Sequence, residues 1–144
     1  MKKWIALVLA LVLALSLTAC GKKMADGVYT AEIDDAATEA AYGWRDTLVV
    51  EYKDGKMVSA SFESYDADGN KKSETTPETY PMDPAPSQWI PTLSANVLEA
   101  GEAKRIDNVA GATLASNNAK ALLEAIEENG VAGETIQVSV SAAE

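Results

Sequence analysis

The sequence predicts an α+β fold in which a mostly antiparallel β-sheet packs against two helices. Three observations carry this: an Asp54-Gly55 turn between two strand-like runs, two segments with apolar residues at helical spacing, and an alternating segment near the end of the chain. With the first nineteen residues set aside, 125 of the 144 remain, which suits one modest core.

Gly27 to Ile33 has β-type composition and forms the predicted first strand. Asp34 to Ala41 is acidic and alanine-rich, either a loop or a single helical turn. Thr47–Lys53 and Lys56–Glu63 flank Asp54-Gly55, a turn pair that tolerates positive φ at both positions and so predicts a two-residue hairpin. Leu48, Val50 and Tyr52 share one face of the first hairpin strand, and Val58, Ala60 and Phe62 share one face of the second. Tyr65 to Ser73 gathers carboxylates around Gly69, but its spacing does not match a calcium loop of the EF-hand type, and it reads as a plain turn. Prolines 77, 81, 84, 86 and 91 make the stretch up to Pro91 an irregular connection carrying Tyr80, Met82 and Trp89, suited to a pocket wall. Pro91 fits the first turn of a helix that Gly101 stops, with Leu93, Val97 and Ala100 as its apolar stripe. A second helix from Ser116 carries Ala119, Leu122, Leu123 and Ile126 and closes at Asn129-Gly130. Thr135 to Ser141 then alternates, with Ile136, Val138 and Val140 on one face.

The net charge of −10 becomes −12 if Lys2 and Lys3 leave with a leader, so nucleic acid is not an expected partner. An acidic surface suits solubility and favours a basic partner or hydrated cations. The chain has no histidine, which excludes His-based acid/base catalysis and the commonest haem and zinc ligand. Its single cysteine, Cys20, excludes an intramolecular disulfide and a Cys-ligated cluster, so any redox chemistry here needs an acquired organic cofactor.

Met1-Lys2-Lys3 and the apolar run Trp4–Leu17 read as a signal peptide over residues 1–19, too short for a membrane-spanning helix of about 20 residues. The junction Leu17-Thr18-Ala19-Cys20-Gly21 resembles a bacterial lipobox, which implies acylation of Cys20 and a lipid tether on the extracytoplasmic side of the cell membrane. Residues 20–26 are then the lipidated N-terminus and linker, and 27–144 the domain.

The stretch Asp107-Asn108-Val109-Ala110-Gly111-Ala112-Thr113-Leu114-Ala115-Ser116 joins a glycine turn to a helix start. Gly111 and Ala112 leave room for close approach, and the amides that follow carry partial positive charge, which outlines a phosphate site. On these residues alone, Thr113 or Ser116 reads first as a plain N-cap.

With these segments in order, the chain resembles the FMN-binding domain family, which includes peripheral subunits of sodium-pumping NADH:quinone reductase and Rnf complexes and small flavinylated surface lipoproteins. The family motif is Asp-x-x-(Ser or Thr)-Gly-Ala-(Thr or Ser), and Asp107, Gly111, Ala112 and Thr113 match it, while Ala110 departs from it. Further likeness lies in Asp26-Gly27-Val28-Tyr29, Tyr42-Gly43-Trp44-Arg45-Asp46, the Asp-Gly hairpin, and Asp68 to Ser73 followed by Tyr80 and Met82.

The resemblance implies that a flavin transferase joins FMN through its phosphate to the Thr113 hydroxyl, with Asp107 recognised and Gly111 and Ala112 giving access. It implies Trp44 as a flavin contact, with Tyr42, Tyr80 and Trp89 as further aromatic candidates and Arg45 or Lys72 as a cation near the ring. The implied function is a membrane-tethered electron carrier that takes electrons from a membrane redox complex and passes them to an extracytoplasmic acceptor. It is an electron-transfer protein rather than a substrate-specific enzyme, and the expected site includes no metal. The alternatives are a non-redox binding lipoprotein or surface antigen on the same fold, and a flavin-dependent reductase.

Overall fold

Asp54 and Gly55 both adopt positive φ, 53° and 76°, and close a hairpin between β2 (Arg45–Lys53) and β3 (Lys56–Tyr65) as their sequence requires. The computed structural model describes residues 23–141; the predicted signal peptide 1–19 and the predicted lipidation site Cys20 lie outside the described residues. Leu48 faces Phe62 and Val50 faces Ala60, but the register shifts between Glu51 and Tyr52, so Tyr52 pairs with Met57. That bulge corrects one expectation: Val58 is the extra residue and stays 49% exposed rather than joining Phe62 in the core.

The sheet is completed by β1 (Gly27–Ile33), antiparallel to β2, and by β4 (Thr135–Val138), parallel to β1, giving the order β3-β2-β1-β4. Between β1 and β2 lies a short helix, α1 (Asp35–Ala40), capped by the Asp34 carboxylate, which accepts from the Ala37 amide at 2.9 Å. Arg45 fastens this corner. It donates to the Ile33 carbonyl at 2.7 Å and pairs with Asp35, so it is a structural clasp and not a free cation.

Two long helices cover the sheet, α2 (Pro86–Ala100) and α3 (Thr113–Asn129). Leu93 and Val97 of α2 and Leu122, Leu123 and Ile126 of α3 are fully buried against Ile33, Leu48, Val50 and Phe62. Each such side chain contributes about 1.5–3 kcal/mol of transfer free energy.

The start of α2 corrects the expectation at Pro91. Pro86 takes the first helical position, Pro91 sits exposed inside the helix, and Gly101 ends it in the left-handed region at φ 71°. Starting five residues earlier carries Trp89 onto the core face, 3% exposed and tilted against Phe62 at 6.2 Å between centroids, so it is not a pocket wall.

Candidate functional site

The segment entering α3 is fixed from both sides. The Asn96 side-chain amide donates to the Asp107 carbonyl at 3.1 Å, and Lys120 donates to the Asn108 side chain. Within the turn, the Ala112 amide donates to the Val109 carbonyl at 3.0 Å, and Gly111 takes φ 83°. A Cβ at Gly111 would lie 2.5 Å from Cδ of Pro84, so glycine is required by both backbone and space.

Neither hydroxyl caps the helix. Ala112 occupies the N-cap position with no side-chain hydrogen bond, and Thr113 is the first helical residue, exposed to solvent. Ser116 lies a turn inside and is fully buried, where its Oγ accepts from the Val109 amide at 3.0 Å and donates to the Ala112 carbonyl at 2.8 Å. The cap reading is therefore corrected at both residues: Ser116 clamps the loop, and the amides of Thr113, Leu114 and Ala115 are left without an intrahelical acceptor beside an exposed hydroxyl. Such an end of a helix favours an anion. Asp107 is exposed and Ala112 is buried against the core.

A second cluster adjoins this one. Asp46 of β2 is buried, with the Ser64 hydroxyl donating to one carboxylate oxygen and the Asn118 amide of α3 donating to the other at 2.8 Å. Burial pushes the Asp46 carboxyl up; the bonds from Ser64 and Asn118 and the charge of Lys72 act against that rise. Lys72 lies in a short 3₁₀ turn, Lys72–Glu74, and its Nζ sits 5.3 Å from the Trp44 ring centroid and 4.6 Å from that of Tyr80. The two rings meet edge to face, 6.0 Å apart at 83°.

Asp107, Gly111, Ala112 and Thr113 are thus contiguous on one loop, while Trp44 belongs to the neighbouring cluster. Two links join them: the segment from Tyr80 to Pro84, which touches Trp44 at one end and Gly111 at the other, and the Asp46–Asn118 bond. Tyr42 points away into solvent, 95% exposed. Asn118 and Asp46 escape the sequence reading as site residues, and Ser116, read there as a candidate hydroxyl or cap, is buried beneath the loop. Asn118 had a signal, since it stands four residues before Leu122 on the buried stripe of α3 and a polar side chain there must find a partner.

Elsewhere, a cleft of about 410 Å³ is lined by Met24, Tyr52, Glu102, Lys104 and Glu127. Burial pushes the Tyr52 hydroxyl up to about 12 and raises the Glu127 carboxyl, which accepts from the Ala103 amide. Among the described residues no group of three or more acidic or cysteine side chains is arranged to hold a metal, and no helix is long and apolar enough to cross a membrane.

No family model matches the chain. It is 30% identical over 130 residues to the 15 kDa lipoprotein of Treponema pallidum (strain Nichols), covering 87% of this chain and 90% of that protein. The crystal structure of the CPE2226 protein from Clostridium perfringens has the same fold, with a TM-score of 0.70 at 26% identity over 81% of this chain and 98% of that one.

Proposed function

The chain belongs to the family of the 15 kDa lipoprotein of Treponema pallidum, and from that premise we propose a membrane-tethered, extracytoplasmic electron carrier with FMN joined through its phosphate to Thr113. The lipobox at Cys20 supplies the tether, in keeping with the relative's name. The observation that carries the cofactor reading is the placement of Thr113: an exposed hydroxyl residue at the first position of a 17-residue helix with no side-chain cap.

The residues present fit such a group. Gly111 is held in the left-handed region, Ala112 adds no bulk outside the core, and free amides at the helix start match the single negative charge of a phosphodiester. Ser116 fixes the loop that presents Thr113. Asp107, exposed at the loop's start, is available for recognition by a flavin transferase. With no histidine in the chain, activation of the Thr113 hydroxyl falls to that transferase. Bound FMN supplies reversible one- and two-electron chemistry that the side chains lack. Electrons then come from a membrane redox complex and leave to an extracytoplasmic acceptor.

The test is intact-mass analysis after co-expression with a flavin transferase. The expected result is an adduct of FMN minus water on the wild type that is absent from Thr113→Val. An unmodified wild type refutes the carrier and favours a non-redox binding lipoprotein or surface antigen.

A further inference from the structure

The charge of Lys72 offsets part of the burial of Asp46, but the side chain makes no ion pair among the described residues and its ammonium lies against Trp44 and Tyr80 instead. Its ammonium is placed over two aromatic rings that meet at right angles, and all three side chains are half-buried, so each keeps some surface open to solvent. The lysine is not loosely held at its root. The Glu63 carboxylate accepts from the Ser73 amide at 3.2 Å and the Ser73 hydroxyl at 2.6 Å, and the Thr75 hydroxyl donates to the Lys72 carbonyl at 2.7 Å, fixing the turn that carries it. The cluster is also tied to the loop of Thr113, through Pro84 against Gly111 and through Asn118 on Asp46. Asn118 lies five residues after Thr113 on the same helix, a rise of about 7–8 Å. Arg45, the other candidate cation, is already engaged by Ile33 and Asp35.

Resting on the carrier reading above, we propose that the Trp44–Tyr80 pair is the platform for the redox ring of the tethered cofactor and that Lys72 sets its potential. Lys72 faces a ring that takes up two electrons from the donor and one proton from solvent and so gains one net negative charge. A fixed ammonium beside that ring favours its reduced form, and the low-dielectric flank of two aromatics strengthens the effect. Lys72 acts on the equilibrium, not as a proton donor.

The experiment is spectroelectrochemical titration of the full-length flavinylated protein, with covalent loading measured by mass in each sample. Lys72→Gln is expected to lower the reduced-to-oxidised ratio at fixed potential about tenfold, a negative shift of about 30 mV for a two-electron couple. Lys72→Arg retains the wild-type potential. Lys71→Gln, which makes the same charge change at an exposed neighbour, leaves it unmoved. Equal potentials for wild type and Lys72→Gln, with the adduct present in both, overturn the role of Lys72 while leaving the carrier intact; a wild type without adduct overturns both.

Discussion

Asn118 on the buried stripe of α3 donates to Asp46 on β2 at 2.8 Å, and this bond ties the helix that begins at Thr113 to the strand that follows Trp44. The Ser64 hydroxyl holds the other oxygen of the same carboxylate. Burial raises the Asp46 carboxyl above its ordinary value, so the folded protein keeps a proton that the unfolded chain has already released. The stability tied to that proton is fully present below about pH 3.9 and is lost as pH rises through the raised folded value. Asp46→Asn retains an oxygen for Asn118 and gains an amide for Ser64 without the charge. It is expected to melt above the wild type at neutral pH, with the difference closing as pH falls towards about 4. Melting curves across that range check this. The difference between the two proteins removes the contribution of Asp34 and Asp66, whose lowered values act in the opposite sense.

Ser116 makes a different prediction because its role is to satisfy a buried backbone amide. In Ser116→Ala the Val109 amide loses its acceptor, while the Ala112 carbonyl keeps the Ser116 backbone amide at 3.0 Å. The expected cost is about 1–3 kcal/mol. Urea unfolding is the measurement, with a lower midpoint at unchanged slope. An unchanged midpoint would show that water replaces the hydroxyl and that the loop needs no clamp.

Thr113 contrasts with Ser116 three residues later. Thr113→Val removes an exposed hydroxyl that makes no cap, so its stability should stay within about 0.5 kcal/mol of the wild type. Under the proposed function the same substitution abolishes covalent loading. A large loss of stability would instead place Thr113 among the structural residues.

The hairpin and the core stripes of both long helices were legible because their signals are local: a turn pair that accepts positive φ, and apolar residues at a fixed period. The bulge at Val58 was not, since it reflects pairing with Glu51 and Tyr52 across the sheet. The start of α2 was read at Pro91 because a proline suits a first turn, but Pro86 takes that place and the added turn packs Trp89 against Phe62, a contact 27 residues away in sequence that no local signal carries. Ser116 was misread for a related reason. A serine near a helix start favours the cap when judged by propensity, but burial inside the first turn gives its hydroxyl the loop to hold instead. The loop of Thr113 is singled out in the sequence only by its motif, while its link to Trp44 through Asp46 and Asn118 joins positions 72 residues apart.

Two glycines separate backbone strain from steric approach. Gly101 and Gly111 both adopt left-handed φ, 71° and 83°, but a Cβ at Gly101 meets nothing within 4 Å, whereas at Gly111 it would meet Pro84 Cδ at 2.5 Å and the Asp83 carbonyl at 3.4 Å. Gly101→Ala is expected to cost about 1–2 kcal/mol, the penalty of the left-handed conformation alone. Gly111→Ala carries that penalty and must also displace the proline ring, adding about 1–3 kcal/mol by the usual cost of overpacking. Thermal melts of the two variants should therefore differ clearly. Because Pro84 belongs to the segment that links Gly111 to Tyr80, the displacement reaches the loop of Thr113, and covalent flavin loading should fall in Gly111→Ala but not in Gly101→Ala. Equal stability losses at the two positions would mean that Pro84 yields without cost and that the contact does not hold the loop in place.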